Sequence, residues 1–337
     1  MNKTQWKLLT LTTVASVLVI WLSVEGWAFR QFLTQPISSL QAPKVVSVQP
    51  GDSTRVVAKK LHQAQLIRHP QWFIWVMKWR GLDGNVKAGE IEIQPHWTLD
   101  TLIDALVQGK TVTYPMTLIA GQTYAQLKQK LLQLDKVDHQ LSEMSTSQVA
   151  AALGIEAASL EGQFLPETYF YSAGVTDLAL LKRAHHALKT SLAQAWAQRA
   201  DNLPLQTPYQ ALILASMVEK ESGHAPERDK IAGVFVNRLR KGMRLQSDPT
   251  VIYGMGEAYA GNIRKKDLQT KTPWNTYRIP GLPPTPIALA SRASIQAVMQ
   301  PADTSALYFV SKGNGQHQFS DTLAEHNRAV RRYILNQ

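Results

Sequence analysis

Residues 212–223 read LILASMVEKESG, an apolar run broken by two glutamates and closed by a glycine. At 100° per residue, a helix here places Glu219 on the face of Leu212, Ala215, Ser216 and Ser222 and turns Glu221 roughly 200° away. The two carboxyls are therefore not expected to serve one site from this helix. A glutamate on a face of small residues has room beside it for a bulky ligand, and partial desolvation there favours its protonated form. A general acid working at neutral pH needs that form. An ordinary core helix with incidental polar positions fits the stretch equally well, so the remainder of the chain has to separate the two.

The 337 residues suffice for about two domains, and a hydrophobic content of 45% supports packed cores. Thirty-six basic against 25 acidic residues leave a formal charge of +11. That balance favours an acidic lipid surface, nucleic acid or an anionic polymer as neighbour. The absence of cysteine excludes disulfides, thiolate nucleophiles and Cys-ligated metals. The nine histidines show no HExxH or comparable spacing, so neither a metal nor a cofactor is expected.

From Leu8 to Val24 the chain carries no charge, and the apolar stretch extends through Trp27 if Glu25 reaches the headgroups. A transmembrane helix is expected over residues 8–27. Lys3 and Lys7 before it and Glu25 after it place residues 1–7 in the cytoplasm and the body outside. A cleaved signal peptide is the rival, but no A-x-A-like site closes the run. Residues 28–44, with Pro36, Ser38, Ser39 and Pro43, read as a linker. An external body disfavours nucleic acid as a partner and turns the basic surplus toward membrane lipid or cell wall.

Three segments share one design, an apolar strand, a turn, and a Ser or Thr opening an amphipathic helix. They are VVSVQPGDSTRVVAKKL (45–61), EIEIQPHWTLDTLIDALVQG (90–109) and MTLIAGQTYAQLKQKLLQL (116–134). Ser53, Thr98 and Thr123 stand at the capping positions, Thr123 with Gln126 in a capping box. Val56, Val57 and Leu61, and Leu99, Leu102, Ile103 and Leu106, have helical spacing. Between the first two segments, Trp72, Trp75 and Trp79 recur at about one helical turn, a stripe expected to face the core rather than form a sugar platform. The VQPGDS turn and its helix resemble the opening of a LysM module, a small fold that holds N-acetylglucosamine polymers. A LysM-like subdomain is accordingly expected over 45–135 and a second domain over 136–337.

Residues 160–171, LEGQFLPETYFY, gather Phe164, Tyr169, Phe170 and Tyr171 around Glu161 and Glu167. Sugar rings stack on aromatic faces, and both a carbohydrate-lining loop and a buried turn fit the pattern. Thr176 to Ala200 reads as a scaffold helix. The glutamate helix should stop near Gly223, ahead of Pro226, and a second helix should run from PERDK to Lys241, with Gly242 ending it. Glu227 and Asp229 suit that helix's first turn. The loop MRLQSDPTVIYGMG (243–256) offers Gln246, Ser247, Asp248, Thr250 and Tyr253 to hydroxyls and amides. The proline-stiffened TPWNTYRIPGLPPTPIA (272–288) offers Asn275, Thr276, Tyr277 and Arg278. At the end of the chain, Tyr308 to Ser311 and His317 to Phe319 read as a hairpin turned at Gly313 to Gly315, with a helix from Thr322. Structural parts are favoured over functional ones for His317, His326 and Asn327.

LEGQFLPETY, ASMVEKES, ERDKIAGVFVNRLRKGMRLQSDPTVIYG, NTYRIPGLPPTPIA and YFVSKGNGQHQFSDTLAEHN, in this order behind one anchor, resemble the YceG-like family. The likeness covers nearly the whole chain, most strongly from Leu160 onward; the family commonly has W and D where this chain has Gln163 and Glu167. It implies an α+β fold and an endolytic lytic transglycosylase, anchored in the inner membrane with its catalytic domain periplasmic. Such an enzyme cuts peptidoglycan between N-acetylmuramic acid and N-acetylglucosamine, leaves 1,6-anhydro ends and terminates strand elongation near peptidoglycan synthases. The family's catalytic glutamate falls on the first Glu of VEKE, here Glu219, with Glu221 as a reserve whose helical face, shared with Leu214, Met217 and Val218, favours a scaffold role. One carboxyl suffices where the sugar's own C6 hydroxyl attacks C1, because ring closure replaces the second carboxyl of ordinary glycosidases. Glu161, Gln246, Ser247, Asp248, Asn275 and Tyr277 are the expected substrate-binding residues. Rival readings are a water-using muramidase, with Glu161 or Asp248 as base, and a noncatalytic peptidoglycan-binding anchor. A nucleic-acid binder lacks a basic cluster with interleaved aromatics.

Overall fold

The computed structural model describes residues 3–37, 40–157, 159–223 and 225–335. The chain forms two compact units, one from residues 1–114 with 171–174 and one from 115–170 with 175–337.

The first unit opens with α1 (Lys3–Thr34), within which Thr13–Thr34 is long and apolar enough to cross a membrane. The helix runs past residue 27 because Phe29, Phe32 and Leu33 find apolar cover on the unit's core, and Ile37 and Leu40 continue that contact. The expected linker over 28–44 is thus helical at its start and packed along much of its length; its Ser38 and Ser39 lie outside the described residues. There follow β1 (Lys44–Val48), α2 (Thr54–Gln63), α3 (Pro70–Trp79), β2 (Gly89–Ile93) and α4 (Leu99–Gln108). β1 and β2 pair antiparallel, with Val46 opposite Ile91. The Ser53 and Thr98 side chains accept the Val56 and Thr101 amides at the heads of α2 and α4, as their sequence positions require.

α3 departs from expectation. It is apolar on every side but the strip of Gln71 and Lys78, and its neighbours cover only one face. Phe73, Val76 and Met77, spaced i, i+3, i+4, take that face and are buried, while Trp75 and Trp79 stand 68% and 85% exposed. Trp72 packs edge-on against Phe29 and Phe32 of α1, ring centroids 5.5 Å apart in each pair.

The second unit comprises β3 (Tyr114–Thr117), α5 (Tyr124–Leu131), β4 (Val137–Asp138), α6 (Thr146–Leu153), β5 (Thr168–Tyr171) and β6 (Val175–Thr176). It continues with α7 (Asp177–Ala197), α8 (Pro208–Glu221), α9 (Arg228–Arg240), α10 (Asp248–Met255), α11 (Lys265–Gln269) and α12 (Arg292–Met299). The hairpin of β7 (Tyr308–Ser311) and β8 (His317–Ser320) and then α13 (Leu323–Val330) complete it. β3 pairs with β5 and β4 with β6, so the sheets are small and two-stranded. The third strand–turn–helix segment packs here, placing the boundary between units after residue 114 and not after 135. Gly121 donates to the Leu289 carbonyl at 2.9 Å and Leu289 to the Gln122 carbonyl at 2.8 Å. Thr123 and Gln126 form the capping box.

α8 is the centre of this unit. Ala211 through Val218 are all buried, and the helix packs against α7, α9 and α12. Gly233 lets α9 approach the Ala302 carbonyl, which lies 2.8 Å from where a Cβ would stand.

Candidate active site

The last turn of α8 carries both glutamates. Glu219 Oε2 accepts the Ser291 amide at 2.9 Å and the Ser291 hydroxyl. Its Oε1 lies 3.6 Å from Arg228 Nη2, and the side chain is 6% exposed. Ser291 is also the N-cap of α12. Glu219 therefore ties α8 to α12 and to the start of α9, with little of its carboxyl open to a ligand.

Glu221 is the final residue of α8, and the backbone turns extended at Ser222. Leu214, Met217 and Val218 before it are fully buried, whereas Glu221 is partly buried. It sits in a cleft of about 400 Å³ whose walls include Arg238, Gln246, Asp248, Tyr277, Tyr308 and His326. Ser247 Oγ donates to Glu221 at 2.6 Å. Burial pushes the Glu221 carboxyl up to about 7, with Asp248 adding to the rise and Ser247 and Arg238 opposing it. A carboxyl so placed holds its proton near neutrality beside open space.

The cleft floor is braced from below. Gln246 has a φ of 53°, a left-handed conformation that costs a non-glycine residue and recurs at functional sites. Its amide donates to the Thr276 carbonyl at 3.2 Å, and its side-chain oxygen accepts from Arg238 Nη1 at 3.2 Å. Arg238 also donates to the Leu307 carbonyl at 2.7 Å and the Leu245 carbonyl at 2.9 Å, and its guanidinium lies 5.1 Å from the Tyr308 ring centroid. Burial lowers its affinity for the proton. Tyr277 donates its hydroxyl to Asp248 Oδ1 at 2.7 Å, and burial together with Asp248 raises the phenol's pKa.

Of the six residues expected to bind a ligand, Gln246, Asp248 and Tyr277 border the cleft with Glu221. Ser247, Asn275 and Glu161 are enclosed, at 1%, 0% and 5% exposure. Asn275 Nδ2 donates to the carbonyls of Asp267, Leu268 and Thr270, and its Oδ1 accepts the Tyr277 amide at 3.0 Å. It shapes the loop that presents Tyr277. Glu161 accepts the Tyr124 amide at 2.9 Å, the Gly162 amide at 3.3 Å and the Tyr253 hydroxyl at 3.2 Å. Burial pushes it, too, up to about 7. Its protein partners, not a ligand, occupy this carboxyl.

Sequence reasoning passed over Arg238. The signal was present, because Ile231, Val234, Phe235 and Arg238 fall at i, i+3, i+4 and i+7, which puts a cation on the inward face of α9. His326 and Asn327, read as structural, border the cleft, and the His326 ring stacks on Tyr308 with centroids 5.2 Å apart. Burial and Arg238 lower the His326 pKa. His317 is held elsewhere, its Nδ1 2.8 Å from Glu227. Glu227 also accepts the His317 amide at 3.0 Å, so this acid clasps β8 in addition to its place ahead of α9. Chemically, the cleft offers the Glu221 carboxyl, raised to about 7, with the Asp248 carboxyl, an amide, phenols and the Arg238 guanidinium, a set able to grip hydroxyls and amides and to give a proton to an ether oxygen.

The profile of the YceG-like family matches residues 46–332. The chain is 30% identical to an endolytic murein transglycosylase of Bacillus subtilis (strain 168), over 93% of this chain and 91% of that one. It is 25% identical to the protein of the same name from Streptococcus pneumoniae serotype 2, over 93% of this chain and 63% of that longer protein. A crystal structure of a yceG-like protein from Listeria monocytogenes is similar at a TM-score of 0.55 and 28% identity, covering 86% of this chain and 99% of that one.

Proposed function

Since the chain belongs to the YceG-like family, we propose that it is an endolytic murein transglycosylase that cleaves peptidoglycan glycan strands, with Glu221 as its acid–base group. The observation that carries the residue assignment is the placement of Glu221 in the cleft, its carboxyl raised to about 7. Glu219, the acid expected from the motif, accepts from Ser291 and lies 3.6 Å from Arg228, contacts that support a bracing role for it. This assignment reverses the order of the two glutamates.

The reaction closes without water. Glu221 gives its proton to the glycosidic oxygen between N-acetylmuramic acid and N-acetylglucosamine, the C1–O bond breaks, and its electron pair stays on the leaving oxygen. Positive charge develops on the sugar ring, and the carboxylate left on Glu221 faces it. The C6 hydroxyl of the same muramic residue then bonds to C1, and Glu221 takes up the hydroxyl proton. The product is a 1,6-anhydro end, and Glu221 is returned to its starting form. Intramolecular attack gives the nucleophile a high effective concentration. Gln246 and Tyr277 supply amide and hydroxyl contacts to the acetamido groups, and Asp248 holds Tyr277 in place.

Residues 8–27 of α1 anchor the chain in the inner membrane with residues 1–7 cytoplasmic and the chain beyond residue 27 periplasmic, so that cleavage ends strand elongation close to the synthases. The β1–α2 unit with its VQPGDS turn supports a LysM-like glycan-holding role for the first unit.

Purified glycan strands incubated with E221Q and E219Q test the assignment. E221Q is expected to fold, by circular dichroism, and to lose at least about 100-fold in turnover, the usual contribution of a general acid. E219Q is expected to melt earlier and keep turnover within about tenfold. The wild-type products should be lighter by one water than hydrolytic ends. A folded, inactive E219Q beside an active E221Q would return the role to Glu219, and product masses that include water would replace the lyase with a hydrolase.

A further inference from the structure

We propose that Trp75 and Trp79 of α3 seat the first unit on the headgroups of an anionic bilayer, a second membrane contact beside α1. The proposal rests on reading α1 as a membrane anchor and extends it to a face of the folded unit.

Three observations converge on that face. Trp72, Trp75 and Trp79 lie within about 60° of one another around α3, and the last two are 68% and 85% exposed. Exposed indoles on a folded unit mark an unfilled contact more often than scattered aliphatic side chains do. The same stripe begins on α1, where Trp72 packs against Phe29 and Phe32. These two residues follow Trp27, the last residue of the span read from the sequence, by about 3 to 8 Å of helix rise. The stripe therefore starts at headgroup level, where tryptophan is enriched. Trp27, itself 65% exposed, marks that level on the anchor.

Charge points the same way. From Thr54 to Arg80 the chain contains six Lys and Arg residues and no Asp or Glu; Lys60 and Arg80 pair with Asp52 and Asp100, and the remaining cations are Arg55, Lys59, Arg68 and Lys78. α2 and α3, which carry most of these cations, pack together. Basic residues beside interfacial tryptophans are attracted to acidic phospholipid. A sugar platform fits less well, because glycan sites are concave and set with convergent polar groups, whereas these indoles project from the outer face of a helix. α1 is packed on the unit through Phe29, Phe32 and Leu33, so a span alone leaves the two free to tilt together; two indoles at the interface remove that freedom.

The chain has no native cysteine, so single nitroxide labels can be placed at will. The full chain carrying Gln71→Cys beside the stripe, Ile20→Cys in the span or Glu257→Cys in the second unit is reconstituted into phosphatidylethanolamine–phosphatidylglycerol vesicles. Accessibility to oxygen and to a nickel chelate is read by electron paramagnetic resonance. The Gln71 label should show an oxygen-to-nickel ratio several-fold above that at Glu257 and below that at Ile20. Adding W75A and W79A should drop it to the Glu257 level and leave Ile20 unchanged. A Gln71 label that matches Glu257 while Ile20 is buried overturns the proposal and leaves the anchor standing, as does a Gln71 ratio indifferent to W75A and W79A. A water-exposed Ile20 removes the anchor and this proposal together. Labels in water that glycan strands then shield would make the stripe a sugar platform instead.

Discussion

Two glutamates two residues apart meet different surroundings. Glu219 faces Arg228 and two donors from one serine, whereas Glu221 faces one hydroxyl, the Asp248 carboxyl, Arg238 and the cleft. Desolvation raises the Glu221 pKa from 4.5 to about 7, which yields a signed prediction. As the proposed acid, Glu221 should make kcat/KM fall as pH rises through about 7. Its effect on stability has the same direction. A raised folded-state pKa means that the native protein binds more protons than the unfolded chain between about 4.5 and 7. The associated stability is fully present below 4.5 and lost as pH climbs past 7. The Tm of the wild type relative to E221Q should accordingly decline between pH 5 and 8. Glu161, also raised to about 7, contributes equally to both proteins and cancels. A Tm difference that is flat across this range would remove the buried protonated carboxyl.

Among the elements, the helix boundaries were legible because capping is local. Ser53, Thr98, Thr123 and Thr322 each accept an amide at the head of the helix that their positions announce. The face a helix buries is not local, and α3 illustrates the difference: its tryptophans and its Phe73 set have equally good spacing, and only the neighbours chose. α9 illustrates close packing at a glycine. Gly233→Ala gains about 1 kcal/mol of helix propensity but drives a methyl toward the Ala302 carbonyl, 2.8 Å from the Cβ position. That carbonyl belongs to a segment whose Ala302 amide is bonded to Asp229 O at 3.0 Å, so it has little room to retreat. Overpacking of this kind costs about 1–3 kcal/mol, and a net loss of about 1 kcal/mol is expected in urea unfolding. A stabilised variant would show that the segment yields.

At the scale of the molecule, each unit has a core of its own, around Leu61, Phe73 and Leu102 in the first and around Leu214, Met217 and Phe235 in the second. Separate cores predict separate responses. Phe73→Ala, at a fully buried position, should cost about 3–5 kcal/mol and lower one of two calorimetric transitions. The second transition and turnover on soluble glycan strands should stay as in the wild type. One shared transition moving as a whole would mean that the two cores unfold together.

From the sequence came the family likeness, the apolar span, the capped helices, the terminal hairpin and a carboxyl at the end of α8. All of these are written in contiguous residues, where spacing and side-chain chemistry act over one or two turns. The tertiary structure alone decided which carboxyl lines the cleft and which of the expected binding residues are enclosed. A helical angle separates Glu219 from Glu221, but it says nothing about which side the neighbouring elements leave open. That side is formed by Arg238, Gln246, Tyr277 and Tyr308, brought together from separate stretches of the chain only when the core has packed.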